Sequence, residues 1–143
     1  MGTFGAYLEQ YVLDHIWGST GARTAPATLF FGLCTTDITS SGGEYVGKEP
    51  STAGAYLRVE ITNTSSNFTA AETSADVGVK YNAVAITFAQ FTTASTEITY
   101  AFVCDTSSAE GNLLAWGALT TSKTLASGDT ASFAANAFKI TLD

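Results

Sequence analysis

The side chains through which this chain could do chemistry are few. There is one histidine, His15, and there are two cysteines, Cys34 and Cys104. A general base would have to be His15, which falls on or beside the apolar stripe of a helical segment, where a lone imidazole is usually a packed residue. A Ser-His-Asp arrangement needs the same residue, and no serine sits in a Gly-x-Ser-x-Gly elbow. A zinc site would have to recruit carboxylates from distant strands, because no pair of ligands has the close spacing such sites use. No glycine-rich turn stands between a strand and a helix to cradle phosphate. Asp37, Glu44, Glu49, Asp105 and Glu110 fall in or near loops. Two of them converging would make a glycosidase pair, but solvated turns contain the same residues. Asp105 and Asp129 match turn chemistry directly, since aspartate bonds its own backbone two residues on. No EF-hand spacing appears. The expectation is no catalytic set, no cofactor and no metal.

Aromatic side chains are the remaining candidates for contact. Trp17 closes the helical segment, and Trp116 lies in the run Leu114-Ala115-Trp116-Gly117. Trp116, if exposed, is the residue on which a sugar ring would stack, although most aromatics in sandwich strands are core.

The elements that must position these groups are legible from periodicity. Phe4, Tyr7, Leu8, Tyr11, Val12, His15 and Ile16 recur at spacings of three and four and predict one amphipathic helix over residues 1–18, with Thr3 as its cap and Gly18 as its end. After Pro26 the pattern becomes that of strands. Leu29-Phe30-Phe31-Gly32-Leu33-Cys34 is a continuous apolar run, buried on both faces, in which Gly32 marks a bulge or a close backbone approach. Residues 37–53 read as a long surface loop that includes Tyr45. Residues 55–62 alternate, with Leu57, Val59 and Ile61 on one face and Tyr56, Arg58 and Glu60 on the other. Residues 63–79 form a second excursion held by Phe68. Further strands follow at residues 83–88, 97–105 and 112–119, then around the turn Ser127-Gly128-Asp129, and finally through Phe138, Ile140 and Leu142. Helical periodicity does not return, so the chain is expected to be a single domain over residues 1–143. Its fold is predicted to be mainly β: an antiparallel β-sandwich of seven to eight strands, Greek-key or jelly-roll-like, over residues 26–143, preceded by the helix.

Composition narrows the function classes. Of 143 residues, 45% are hydrophobic and only 13% charged, about half the usual charged share. A surface so sparsely ionised is explained most simply if copies or partners cover it. The net charge is −7 and only six residues are Lys or Arg, scattered along the chain, which argues against nucleic acid. No apolar run approaches the ~20 residues of a membrane span, so no membrane insertion is expected. The N-terminus lacks an apolar signal core, which points to synthesis in a cytoplasm without export. Cys34 and Cys104 then read as small buried hydrophobes.

Several stretches together resemble a family of small tailed-bacteriophage virion proteins, the tail-fibre or minor tail proteins. They are Tyr7-Leu8-Glu9, Val12-Leu13-Asp14-His15-Ile16-Trp17-Gly18, Thr24-Ala25-Pro26-Ala27-Thr28-Leu29, Gly54-Ala55-Tyr56-Leu57-Arg58-Val59, Ala83-Val84-Ala85-Ile86-Thr87-Phe88, Gly111-Asn112-Leu113-Leu114, Gly117-Ala118-Leu119-Thr120-Thr121-Ser122-Lys123 and Ser127-Gly128-Asp129-Thr130. Their order along the chain is more specific than any one of them. Residues 92–99 and the loop at 37–53 depart from the pattern. The resemblance implies a non-enzymatic structural component on the exterior of the phage particle, made in the host cytoplasm. Its partners would be other virion proteins, of the tail or, if the sandwich serves as a capsid decoration (cement) protein, the major capsid protein. Homo-oligomers are implied, the trimer first. A sugar-binding module in host recognition is the other class. The expected contact residues are Phe4, Tyr7, Leu8, Tyr11, Ile16, Trp17 and Tyr45, with Trp116 for sugar stacking.

Overall fold

The computed structural model describes residues 3–17, 24–38, 45–74 and 77–142. Its elements run β1 (Thr3–Phe4), α1 (Ala6–Ile16), β2 (Thr28–Cys34), β3 (Val59–Thr62), β4 (Glu72–Ser74), β5 (Val77–Tyr81), β6 (Ile86–Thr87), β7 (Ile98–Cys104), β8 (Leu113–Lys123), β9 (Ser132–Phe133) and β10 (Lys139–Leu142). All pairings are antiparallel. A five-stranded sheet has the order β1-β8-β7-β2-β3, and it is accompanied by a three-stranded sheet, β10-β5-β4, and a two-stranded one, β6-β9. The chain is therefore mainly β with one helix near its N-terminus, as its periodicity predicts.

The central strands β2 and β7 are buried on both faces over Phe31–Cys34 and Ala101–Cys104, which accounts for the apolar runs there. One face of the large sheet carries Phe31, Leu33, Ala101, Val103 and Leu114, packed under Tyr56, Phe68, Ile86, Phe88 and Phe91. The opposite face carries Cys34, Phe102, Cys104 and Leu113, covered by Ile38 and Tyr45. Strict alternation breaks twice. The β7–β8 register shifts between Ile98 and Tyr100 and again between Val103 and Cys104. The first shift carries Ile98 to the face of Ala101, away from Tyr100 and Phe102, with which alternation alone groups it. At the second, Leu114 is the extra residue of a bulge and joins the larger core.

Three local expectations are corrected by packing. The helix does not begin at a Thr3 cap. Thr3 and Phe4 pair with Trp116 and Ala115, and the Gly5 amide donates to the Leu114 carbonyl at 2.9 Å. A Cβ on Gly5 would lie 2.1 Å from the Leu113 carbonyl oxygen, so the approach of this segment to β8 needs glycine. Leu57 does not join Val59 and Ile61 on a buried face; it is 65% exposed, while Arg58 turns inward. Thr141, which alternation with Ile140 and Leu142 sends to the outer face, is buried opposite Val79. Gly32 does mark a close approach: it pairs with Phe102, whose ring lies across it.

The excursion at residues 63–79 is tied down at Phe68, which bridges Asn82. Buried Asn82 is fully used. Its Nδ2 donates to the carbonyls of Val84 and Ala134 at 2.8 Å each, and its Oδ1 accepts from the Phe138 amide at 2.8 Å. One polar side chain thus joins the segments leading into β6 and β10.

Candidate contact surfaces and the buried Arg58 network

Helix α1 lies over its own sheet. Tyr7 and Leu8 pack against the larger core, and Tyr7, Leu8 and Tyr11 line a mainly apolar cavity of about 170 Å3 above Leu29, Val103 and Leu114. Phe4, in β1 and not in the helix, is half-buried. These four candidate contact residues are therefore engaged, at least in part, within the chain. The side chain of Ile16 lies outside the described residues, as does that of His15. Trp17 ends the helix and is 71% exposed, and Leu13, one turn earlier, is 57% exposed.

Tyr45, expected on a loop surface, is buried within the chain. Its relative exposure is 0%. Its ring lies 4.6 Å from that of Phe102, and its hydroxyl accepts the Gly111 amide at 2.7 Å. A tyrosine in a glycine-rich loop reads as a surface residue; here the ring instead covers the sheet. Trp116 is half-buried, with its ring tilted 5.9 Å from that of Tyr100 on the smaller-core face. Its Nε1 is buried and has no hydrogen-bond partner among the described residues.

The most connected polar group is one that periodicity assigns to solvent. The Arg58 side chain is 3% exposed and grips Glu49 with two parallel hydrogen bonds, Nε to Oε1 at 3.0 Å and Nη2 to Oε2 at 2.7 Å. Nη1 donates to the Thr106 carbonyl at 2.9 Å and Nη2 to the Ala109 carbonyl at 3.1 Å. The guanidinium stands over the rings of Tyr45 and Phe102, 4.9 and 5.5 Å from their centroids. Glu49 Oε1 also accepts the Tyr56 hydroxyl at 2.7 Å, and that hydroxyl accepts the Leu33 amide at 2.8 Å. β3 pairs with β2 only as far as Phe31, so Tyr56 takes over the ladder where β3 has ended. Burial lowers the guanidinium's proton affinity, but the hydrogen bonds and charge of Glu49 more than reverse this, and Arg58 stays charged. The only sequence signal for this cluster is an arginine flanked by apolar residues, with an acid nine positions before it.

Asp105 and Asp129 tie down their loops, but not through the expected bond to the backbone two residues on. Asp105 accepts from the amide and the side chain of Asn112 at 2.7 Å each, and Asp129 accepts the Ala126 amide at 2.8 Å. Glu44 lies outside the described residues. Among the described residues, no three His, Cys, Asp or Glu side chains come close enough to hold a metal ion, and no helix is long and apolar enough to cross a membrane.

Cys34 and Cys104 share the smaller core but cannot pair. Cys34 is opposite Tyr100 and Cys104 opposite Phe30. Four positions along neighbouring strands separate them by roughly 13 Å, against the ~7 Å a disulfide allows. Burial pushes the Cys34 thiol from 9.0 up to about 12. Below pH 9 the thiol is protonated whether the chain is folded or not, and its contribution is fully present. Between pH 9 and about 12 only the unfolded chain loses the proton, so stability falls as pH rises through that window. Cys34→Ala is expected to flatten the alkaline limb of a pH–stability curve by about 1.4 kcal/mol per pH unit. An unchanged slope would contradict the burial of this thiol.

Comparison with known proteins gives one result that spans the chain. A family model described as podophage GP4 fiber I protein gp80 matches residues 3–141. No curated protein matches the sequence. The match runs from β1 to β10 and so takes in both sheet faces, the Arg58 network and the helix, in agreement with the resemblance carried by the segments quoted above. The chain belongs to the podophage GP4 fiber I protein gp80 family, a family of phage tail-fibre-type virion proteins.

Proposed function

We propose that this chain is a non-enzymatic structural component on the exterior of the phage particle, a tail-fibre protein that holds its place among other virion proteins by shape and apolar contact. The observation that carries the reading is the outward side of α1. One side of the helix is spent on the chain's own sheet, while Leu13 and Trp17 stand exposed on the other, a pair that solvent alone does not favour. An exposed tryptophan beside an aliphatic residue is the composition of an interface anchor. The low charge of the chain, 13% of residues, fits a surface that other subunits cover. Adhesion in a fixed geometry requires no turnover.

The double substitution Leu13→Ser and Trp17→Ser tests this without disturbing the core, since both side chains project away from it. The melting temperature should be unchanged. The amount of this protein in purified particles, measured by quantitative mass spectrometry, should fall at least about tenfold, as expected when an anchor worth ~2 kcal/mol is removed. Particles of normal content would reject the helix as the contact. Antibody labelling should decorate the tail; labelled heads would transfer the protein to a capsid-decorating role.

A further inference from the structure

Two cavities open beside β8, on the sheet face that carries the larger core. Their volumes are about 260 and 440 Å3, and both are lined by Leu119, Thr120, Phe133 and Ala137, so they form one trough. Lys139 lines one part of it and Lys123 the other. This placement is notable in a chain of net charge −7 with six Lys and Arg in all, one of which, Arg58, is consumed by Glu49. Among the described residues, neither Lys123 nor Lys139 has an ion-pair partner. Two cations without ion-pair partners along one trough favour an anionic ligand in it. Thr120, Thr121 and Thr130 add hydroxyl groups that can both donate and accept, over a floor formed by Leu119 and Phe133.

We propose that this trough binds an acidic saccharide of one or two rings. A lysine would hold each carboxylate, the threonines the hydroxyls, and Phe133 the apolar face of a ring. The size is that of a small-ligand site, and the mixture of a few directed polar groups with an apolar floor is what fixes such a ligand. Trp116 borders one end of the trough, but its ring packs on Tyr100 on the other face of the sheet. The trough is also distinct from the outer side of α1.

Titration of the full chain with digalacturonate at low salt, followed by calorimetry, tests the assignment. The expected dissociation constant is about 0.1–1 mM. Binding should weaken as salt is added. It should fall at least about tenfold in Lys123→Gln/Lys139→Gln, which are exposed positions whose replacement leaves the melting temperature in place. It should persist in the Leu13→Ser/Trp17→Ser variant, so that failure of the assembly reading and failure of this one are separable. Neutral maltose should not bind. Equal binding of maltose, equal binding of a tetraglutamate peptide, undiminished binding in the lysine double variant, or no heat from digalacturonate at about 10 mM would each overturn the proposal.

Discussion

Replacing Arg58 by methionine should cost about 3–5 kcal/mol of folding stability, the largest loss expected from any polar substitution in this chain. Methionine fills much of the same volume, so the loss comes from what is left behind. The Glu49 carboxylate, only 14% exposed, would keep the Tyr56 hydroxyl but lose both guanidinium bonds. The carbonyls of Thr106 and Ala109 would lose their donor, and two aromatic faces their cation. A domain of this size has ~5–15 kcal/mol in total, so the variant should melt more than about 10 °C below the parent or fail to fold. Removing both charges, as Arg58→Met with Glu49→Gln, should recover part of the loss, because a buried ion pair is costly to break and much less costly to replace. Arg58→Lys should fall between, since an ammonium cannot reproduce the two-pronged grip and reach the loop carbonyls together. Urea denaturation of the four proteins measures all of this. A single variant within about 1 kcal/mol of the parent would show that the guanidinium is not the tie that joins these loops.

Gly32→Val should be as damaging for a purely steric reason. A Cβ at position 32 would stand 2.1 and 2.2 Å from Cζ and Cε1 of Phe102. That ring has no room to withdraw, being fully buried between β2 and Tyr45. Overpacking ordinarily costs 1–3 kcal/mol. Here the displaced ring would also take Tyr45 and the Arg58 contact with it, so a loss of about 4 kcal/mol or more is expected. Phe102→Leu alone should cost about 1–3 kcal/mol as a cavity, yet combined with Gly32→Val it should return stability, because the smaller side chain vacates the space the valine needs. Additive losses in that double-mutant cycle would mean that the ring and the glycine do not meet.

Both predictions concern features that differ in how far the amino-acid order revealed them. Gly32 inside an apolar run is a local anomaly, and its meaning as a close approach is visible without coordinates. The helix was legible as a type of element from Tyr7, Leu8 and Tyr11, but its start was not. Phe4 fits the helical stripe, and only the pairing of Thr3 and Phe4 with β8, more than a hundred residues away, removes it. Arg58 was misassigned for a related reason. Alternation through residues 55–62 sorts a charged residue to the solvent side, and nothing local says that Glu49 and the loop after β7 will enclose it. Tyr45 shares that fate, because a ring that covers a distant sheet is indistinguishable in sequence from one on a loop surface. The grouping of Ile98 with Tyr100 failed because a bulge changes side-chain parity without changing the residues. The trough beside β8 was illegible altogether, since it needs Lys123 and Lys139 brought to one place by two separate sheets.

The hydroxyls of Tyr56 and Tyr45 hold the amides of Leu33 and Gly111, so two main-chain protons in different parts of the fold are latched by side chains and not by neighbouring strands. Both latches lead to the same arginine. Solvent deuterium should therefore reach these two protons in step, at the rate at which the whole clasp springs open, giving a pair of spectroscopic reporters on a single event.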